Sequence, residues 1–206
     1  MNIVNLRVYR DSRYTPIVIL VDPQKEYVAA NRALELPGVD AAIERCRAVL
    51  AFARANGFPT VFMRWKQHGK FFNSSQPFGE WIDGLSPIGS DMIFERSLPS
   101  CYASEQFAEM MEQGGGDNAV LAGFTGAIAC LSTLVESYNR KHNLTFLTDA
   151  SASHPLLPHS PAETHEFTTQ LISLYAPVAT TGRWIEEQTR LRQGLSSVIG
   201  AASDRP

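Results

Sequence analysis

The 206-residue chain is poor in the features that mark several large classes of protein. It has three cysteines, Cys46, Cys101 and Cys130, an odd number at unrelated spacings. That excludes a disulfide framework and a zinc cluster, and fits reduced thiols in a cytoplasm. No apolar run approaches the ~20 residues that cross a bilayer, so no membrane partner is expected. The opening stretch MNIVNLRVYRDSRYTP carries Arg7, Arg10, Asp11 and Arg13 but no apolar segment of the kind an export signal needs. A net charge of -3 offers no basic field for nucleic acid. His154, His159 and His165 lack metal-ligand spacing on any one element, so neither a metal nor another cofactor is expected.

What remains is a globular composition, 44% hydrophobic and 19% charged, in a chain long enough for one sizeable domain covering 1–206. Strand and helix signals alternate. PIVILV (16–21) is a continuous β-branched run, as in a strand covered on both faces. Further strands are expected at 59–64, 91–96, 118–123, 144–149 and 177–181. Helical patterns fall at about 40–56, 103–113, 128–141, 161–174 and 183–194. This order predicts an α/β three-layer sandwich with a mostly parallel six-stranded sheet. Ligands in such folds bind beyond the carboxyl ends of the strands. The stretch 65–90, with Trp65, Phe71, Phe72, Phe78 and Trp81, is too long for a plain connection and reads as a lid or a dimer arm.

Asp22 ends the first strand, with Gln24 two residues on. A carboxylate there suits general acid/base work, although a helix cap or turn would use the same residue. Arg96 ends the third strand; it cannot pass a proton, but it can clamp a carboxylate through paired hydrogen bonds, or brace the fold through Asp22 or Glu95. The stretch LAGFTGAIACLSTLVESY (121–138) runs from a strand through a Gly-containing turn into a helix. A thiol at such a helix start would have a lowered pKa. Asp149, ending the fifth strand, is expected to cap the turn near Ser151 or Ser153.

Three segments together resemble the isochorismatase-like (cysteine hydrolase) superfamily. VILVDPQKEYV is similar to its opening motif, and ERSLPSCYASEQF to its Lys-x3-Ser-Ala-Phe segment, with Arg96 in place of the lysine. The third match is the strand-turn-helix at 121–138 together with TFLTDASAS. The resemblance implies a hydrolase of a small organic substrate built on an Asp, a Lys and a Cys, with backbone amides at the helix start. It also places Gln24, Thr125 and Ala129 at the substrate. Gly123 and Thr133 put the family's nucleophile at Ala129, one residue before Cys130. Cys130 is then either a buried thiol or, after a one-residue slip at Gly126, the nucleophile. True isochorismatases lack this thiol and hydrolyse a vinyl ether by protonation and water attack. The resemblance thus leaves open an amide hydrolase using Cys130, a thiol-independent hydrolase using Asp22, and a non-catalytic binding or oligomer module. A homo-oligomer, dimer or tetramer, is expected.

Overall fold

The computed structural model describes residues 15–203, with side chains described as far as Gly194. The N-terminal stretch read above for an export signal therefore lies largely outside the described residues. Six strands form one sheet: β1 (Ile17–Val21), β2 (Thr60–Trp65), β3 (Met92–Arg96), β4 (Ala119–Phe124), β5 (Leu144–Ala152) and β6 (Val178–Ala179). Their spatial order is β3-β2-β1-β4-β5-β6, with every pairing parallel. The helices are α1 (Asp40–Ala55), α2 (Glu105–Glu112), α3 (Leu131–Asn139), α4 (Pro161–Ile172) and α5 (Thr181–Ser203). The expected α/β sandwich is the fold observed.

The β-branched run of β1 fills the centre of the sheet, and all five of its side chains are fully buried. Their alternation divides the core. Val18 and Leu20 pack with Val49 and Leu50 of α1, Phe62 and Trp184. Ile17, Ile19 and Val21 pack on the opposite face with Phe107 and Met110 of α2, Leu134 of α3 and Ile172 of α4. Each such side chain contributes about 1.5–3 kcal/mol when removed from water, so both layers hold the sheet. Strand order reverses between β1 and β4, where Val21 lies beside Gly123. Gly123 has φ +111° because a Cβ there would collide with the Val21 backbone.

Two expected boundaries move. β5 runs past Asp149 to Ala152, since Ser151 and Ala152 pair with Gly123 and Phe124 after an irregularity in the register. Asp149 therefore lies inside a strand. Its carboxylate accepts hydrogen bonds from the Thr181 backbone (2.7 Å) and hydroxyl (2.8 Å), capping α5 rather than a turn at Ser151. The 65–90 segment packs on its own chain. Phe72, Ile82 and Leu85 are buried, Arg32 lies 4.2 Å from the Phe78 ring, and Gln24 bridges to Trp81. Much of its apolar surface is thus covered by its own chain, with Ile88 left exposed.

Candidate active site

Asp22 leaves β1 with φ +44°, its N–H held by the Met63 carbonyl (3.1 Å). The side chain is fully buried. One carboxylate oxygen, Oδ2, is paired with a terminal nitrogen of Arg96; the other, Oδ1, has no partner. Burial pushes the carboxyl up from its ordinary 3.8 to about 7, against the downward pull of the Arg96 charge and hydrogen bond. A carboxyl at that value is partly protonated at neutral pH, which is what a general acid needs.

Arg96 reaches Asp22 from two strands away. The parallel register sets Trp65 of β2 beside Arg96 of β3, and the guanidinium lies 4.3 Å from the Trp65 ring. Arg96 also donates to the Leu98 carbonyl, while its Nε has no partner. Gln24 is a brace. Its amide donates to the carbonyls of Trp65 (3.0 Å) and Gly79 (3.1 Å) and accepts the Trp65 N–H (2.8 Å). Both of its amide hydrogens are thereby used within the fold, tying the 65–90 segment to β1.

A cavity of about 230 Å³ opens beside this pair. Tyr27, Trp65, Phe71 and Phe72 supply aromatic walls, and Thr125, Ile128, Ala129 and His154 line the remainder. Neither Asp22 nor Arg96 lines it; Trp65, the neighbour of Arg96, does. The Phe124–Thr125 peptide is cis, and a wide π-helical turn, Gly126–Cys130, leads from β4 into α3. Thr125 is buried at the head of that turn, with its carbonyl accepting the Cys130 N–H (3.0 Å). The Thr133 hydroxyl donates to the Ala129 carbonyl (2.7 Å) and accepts the Cys101 N–H (3.0 Å), which locks Ala129 in place.

Cys130 turns the other way. It is fully buried in the core layer with Ile17, Val21 and Leu134, within 3.6 Å of the Gly123 carbonyl and 3.9 Å of the Ser151 hydroxyl. Burial, reinforced by Cys101, pushes its thiol far above the usual range. Ala129 and Cys130 are successive residues of a helical turn, so their side chains leave it in different directions. Ala129 lines the cavity, and the Cys130 thiol is not presented to it. Tyr27 and His154 were not anticipated. Tyr27 follows Asp22 by five residues, and His154 lies beyond the carboxyl end of β5, where strand position alone marks it. Among the described residues no group of three or more His, Cys, Asp or Glu side chains is placed to hold a metal.

The isochorismatase domain family matches residues 16–182. The chain belongs to the isochorismatase family. A curated relative, maleamate amidohydrolase from Pseudomonas putida, is 22% identical over 124 residues, which are 52% of this chain and 58% of that protein. The match thus spans well under two thirds of that relative. Among solved structures, an isochorismatase from Pseudomonas putida superposes with a TM-score of 0.76 at 23% identity, covering 89% of this chain and 99% of the other. N-carbamoylsarcosine amidase from Thermoplasma acidophilum gives 0.67 at 20% identity, covering 81% and 96%. At these identities the superpositions speak for the fold alone. No helix among the described residues is long and apolar enough to cross a membrane.

Proposed function

We propose that this isochorismatase-family chain is a thiol-independent hydrolase of a small organic substrate, with Asp22 as general acid and Arg96 as the charge that holds it. What carries the reading is a buried Asp22 carboxyl raised to about 7, beside a cavity lined by Ala129, which offers no nucleophile, while Cys130 is buried in the core. In a cysteine hydrolase, amide cleavage runs through a thiolate nucleophile and an acyl-enzyme. A vinyl ether needs only a proton delivered to carbon, after which water attacks the oxocarbenium ion. Asp22 supplies that proton from Oδ1, since Oδ2 is engaged by Arg96. Arg96 then stabilises the carboxylate left behind, and the aromatic walls exclude bulk water. Amide hydrolysis through Cys130, the competing expectation, has no exposed thiolate to run on.

The relatives named as amidohydrolases make an amide the natural comparison substrate. Purified protein is offered isochorismate, as a vinyl ether, and maleamate, as an amide. Turnover of the first without the second is expected; maleamate hydrolysis that disappears in Cys130→Ser would overturn the reading. One observation favours a non-catalytic binding module instead: Asp22 and Arg96 are closed off from the cavity. Binding of either compound without turnover would support that module. On the hydrolase reading residues 1–206 form one domain, the three free, buried cysteines suit a reducing cytoplasm, and the chain works as a homo-oligomer.

A further inference from the structure

Six buried side-chain polar atoms among the described residues lack hydrogen-bond partners; Arg54, Arg64 and Gln188 carry one each, and the other three fall on touching or neighbouring residues of the site: Asp22 Oδ1, Arg96 Nε and Trp65 Nε1. Buried side-chain polar atoms are nearly always paired, and an orphan needs an explanation. Leaving one unpaired is costly, so three in one place ask for a partner that the fold itself does not supply. Trp65 joins them to the cavity. Its ring lies against the Arg96 guanidinium (4.3 Å), stacks on Phe72 (5.7 Å, 29°), and forms part of the cavity wall. It also stands at the last position of β2, where the 65–90 segment begins.

From this arrangement we infer that Trp65 is a ligand-binding residue and the gate of the site. When its ring lifts from Arg96, the indole N–H and Arg96 Nε together take an oxygen of a carboxylate whose planar, apolar body fills the aromatic cavity. The chemistry sorts the three orphans. Two are donors and suit an anionic oxygen; the third, on the acid, is left for the reacting atom of the same ligand. While the ring lies flat, each donor is shielded from solvent and lacks an oxygen acceptor, the Arg96 guanidinium having the buried Cys101 thiol beside it. The walls of Tyr27, Phe71 and Phe72 select a flat body, and about 230 Å³ limits it to roughly a single ring with small substituents. Movement of Trp65 also explains how a buried acid comes into contact with a ligand held in a cavity it does not line. The inference rests on the proposed site, and adds to it a specificity-determining donor and the class of compound it accepts.

The test reads binding rather than turnover. Benzoate serves as the probe, with benzyl alcohol as the ring without a carboxylate, and the indole N–H signals of 15N-labelled protein are followed by NMR. Variants Trp81→Phe and Trp184→Phe assign the Trp65 signal by elimination, so the wild-type chain itself gives the answer. Benzoate is expected to move the Trp65 signal downfield more than the signals of Trp81 and Trp184, and benzyl alcohol is not. Trp65→Phe keeps a ring against Arg96 and Phe72 but lacks the N–H; it should weaken benzoate roughly 10- to 100-fold and leave benzyl alcohol unchanged, as for loss of a hydrogen bond to a charged group. The inference is overturned if benzoate binds with the Trp65 signal unmoved, if Trp65→Phe binds it as wild type does, or if benzoate does not bind at millimolar concentration. A chain that hydrolyses nothing yet shows the Trp65 shift keeps this subsite and loses the hydrolase reading.

Discussion

Arg96→Gln isolates the electrostatics on which the acid role of Asp22 depends. In the native chain burial raises the Asp22 carboxyl from 3.8 to about 7, with Arg96 opposing the rise. Carrying a carboxyl that far corresponds to on the order of 4 kcal/mol. The folded value lies above the unfolded one, so this contribution to stability is complete below about pH 4. It declines as the pH rises and is lost as the pH passes through about 7. Both side chains are fully buried, and an ion pair at hydrogen-bonding distance is worth about 4 kcal/mol at an effective dielectric near 20. Glutamine retains a donor for Oδ2 but not the charge. The Asp22 titration should therefore move upward by at least about one pH unit, and above that value the variant should lose about 3–5 kcal/mol through a buried, uncompensated carboxylate. The assay is 13C NMR of the labelled aspartate side-chain carboxyl, assigned by the signal missing in Asp22→Asn, with urea unfolding across pH 4–9 in parallel. An Asp22 that titrates near the ordinary ~3.9, or one that moves down in Arg96→Gln, would refute the reasoning.

Cys130 should react slowly with iodoacetamide at neutral pH in the folded protein and rapidly once urea unfolds it; fast native alkylation would place the thiol at the surface. Gly123→Ala should cost more than about 3 kcal/mol, because the left-handed backbone and the Val21 carbonyl both oppose a methyl group, and a near-native melting temperature would contradict that packing. Light scattering should give a dimer or tetramer. The exposed Leu157, Phe167 and Leu174 are surface that such an assembly would cover, and a monomer at micromolar concentration would remove the expectation.

Much of the scaffold is legible in the residues themselves. PIVILV, short and rich in β-branched residues, reads as a strand buried on both sides, and the alternation of such runs with amphipathic helices leaves few topologies other than the observed sheet. Where reading falters, a tertiary contact is responsible. Ser151 and Ala152 are weak strand formers, and they extend β5 only because Gly123 and Phe124 pair with them. Aromatics at 65–81 look like surface for a partner until Gln24, Arg32 and the end of β1 are seen to hold them. Asp22 and Arg96 are visible as strand-end residues, but their meeting depends on β2 lying between β1 and β3. The sequence leaves the sense in which Cys130 points open, because it depends on the geometry of the turn at Gly126–Cys130, which buries the thiol. No local pattern foretells that Trp65 covers the guanidinium, because that contact comes from the register of two strands.

The most direct test of a thiol-independent acid mechanism is a single kinetic comparison. kcat/KM on isochorismate is measured for the native chain, Cys130→Ser and Asp22→Asn, with folding of each confirmed by its melting curve. Loss of a general acid costs roughly 10²–10⁴-fold, so Asp22→Asn should fall by that factor while Cys130→Ser stays within about twofold of native. The account is contradicted if Cys130→Ser, folded, is the variant that loses turnover, or if Asp22→Asn keeps it.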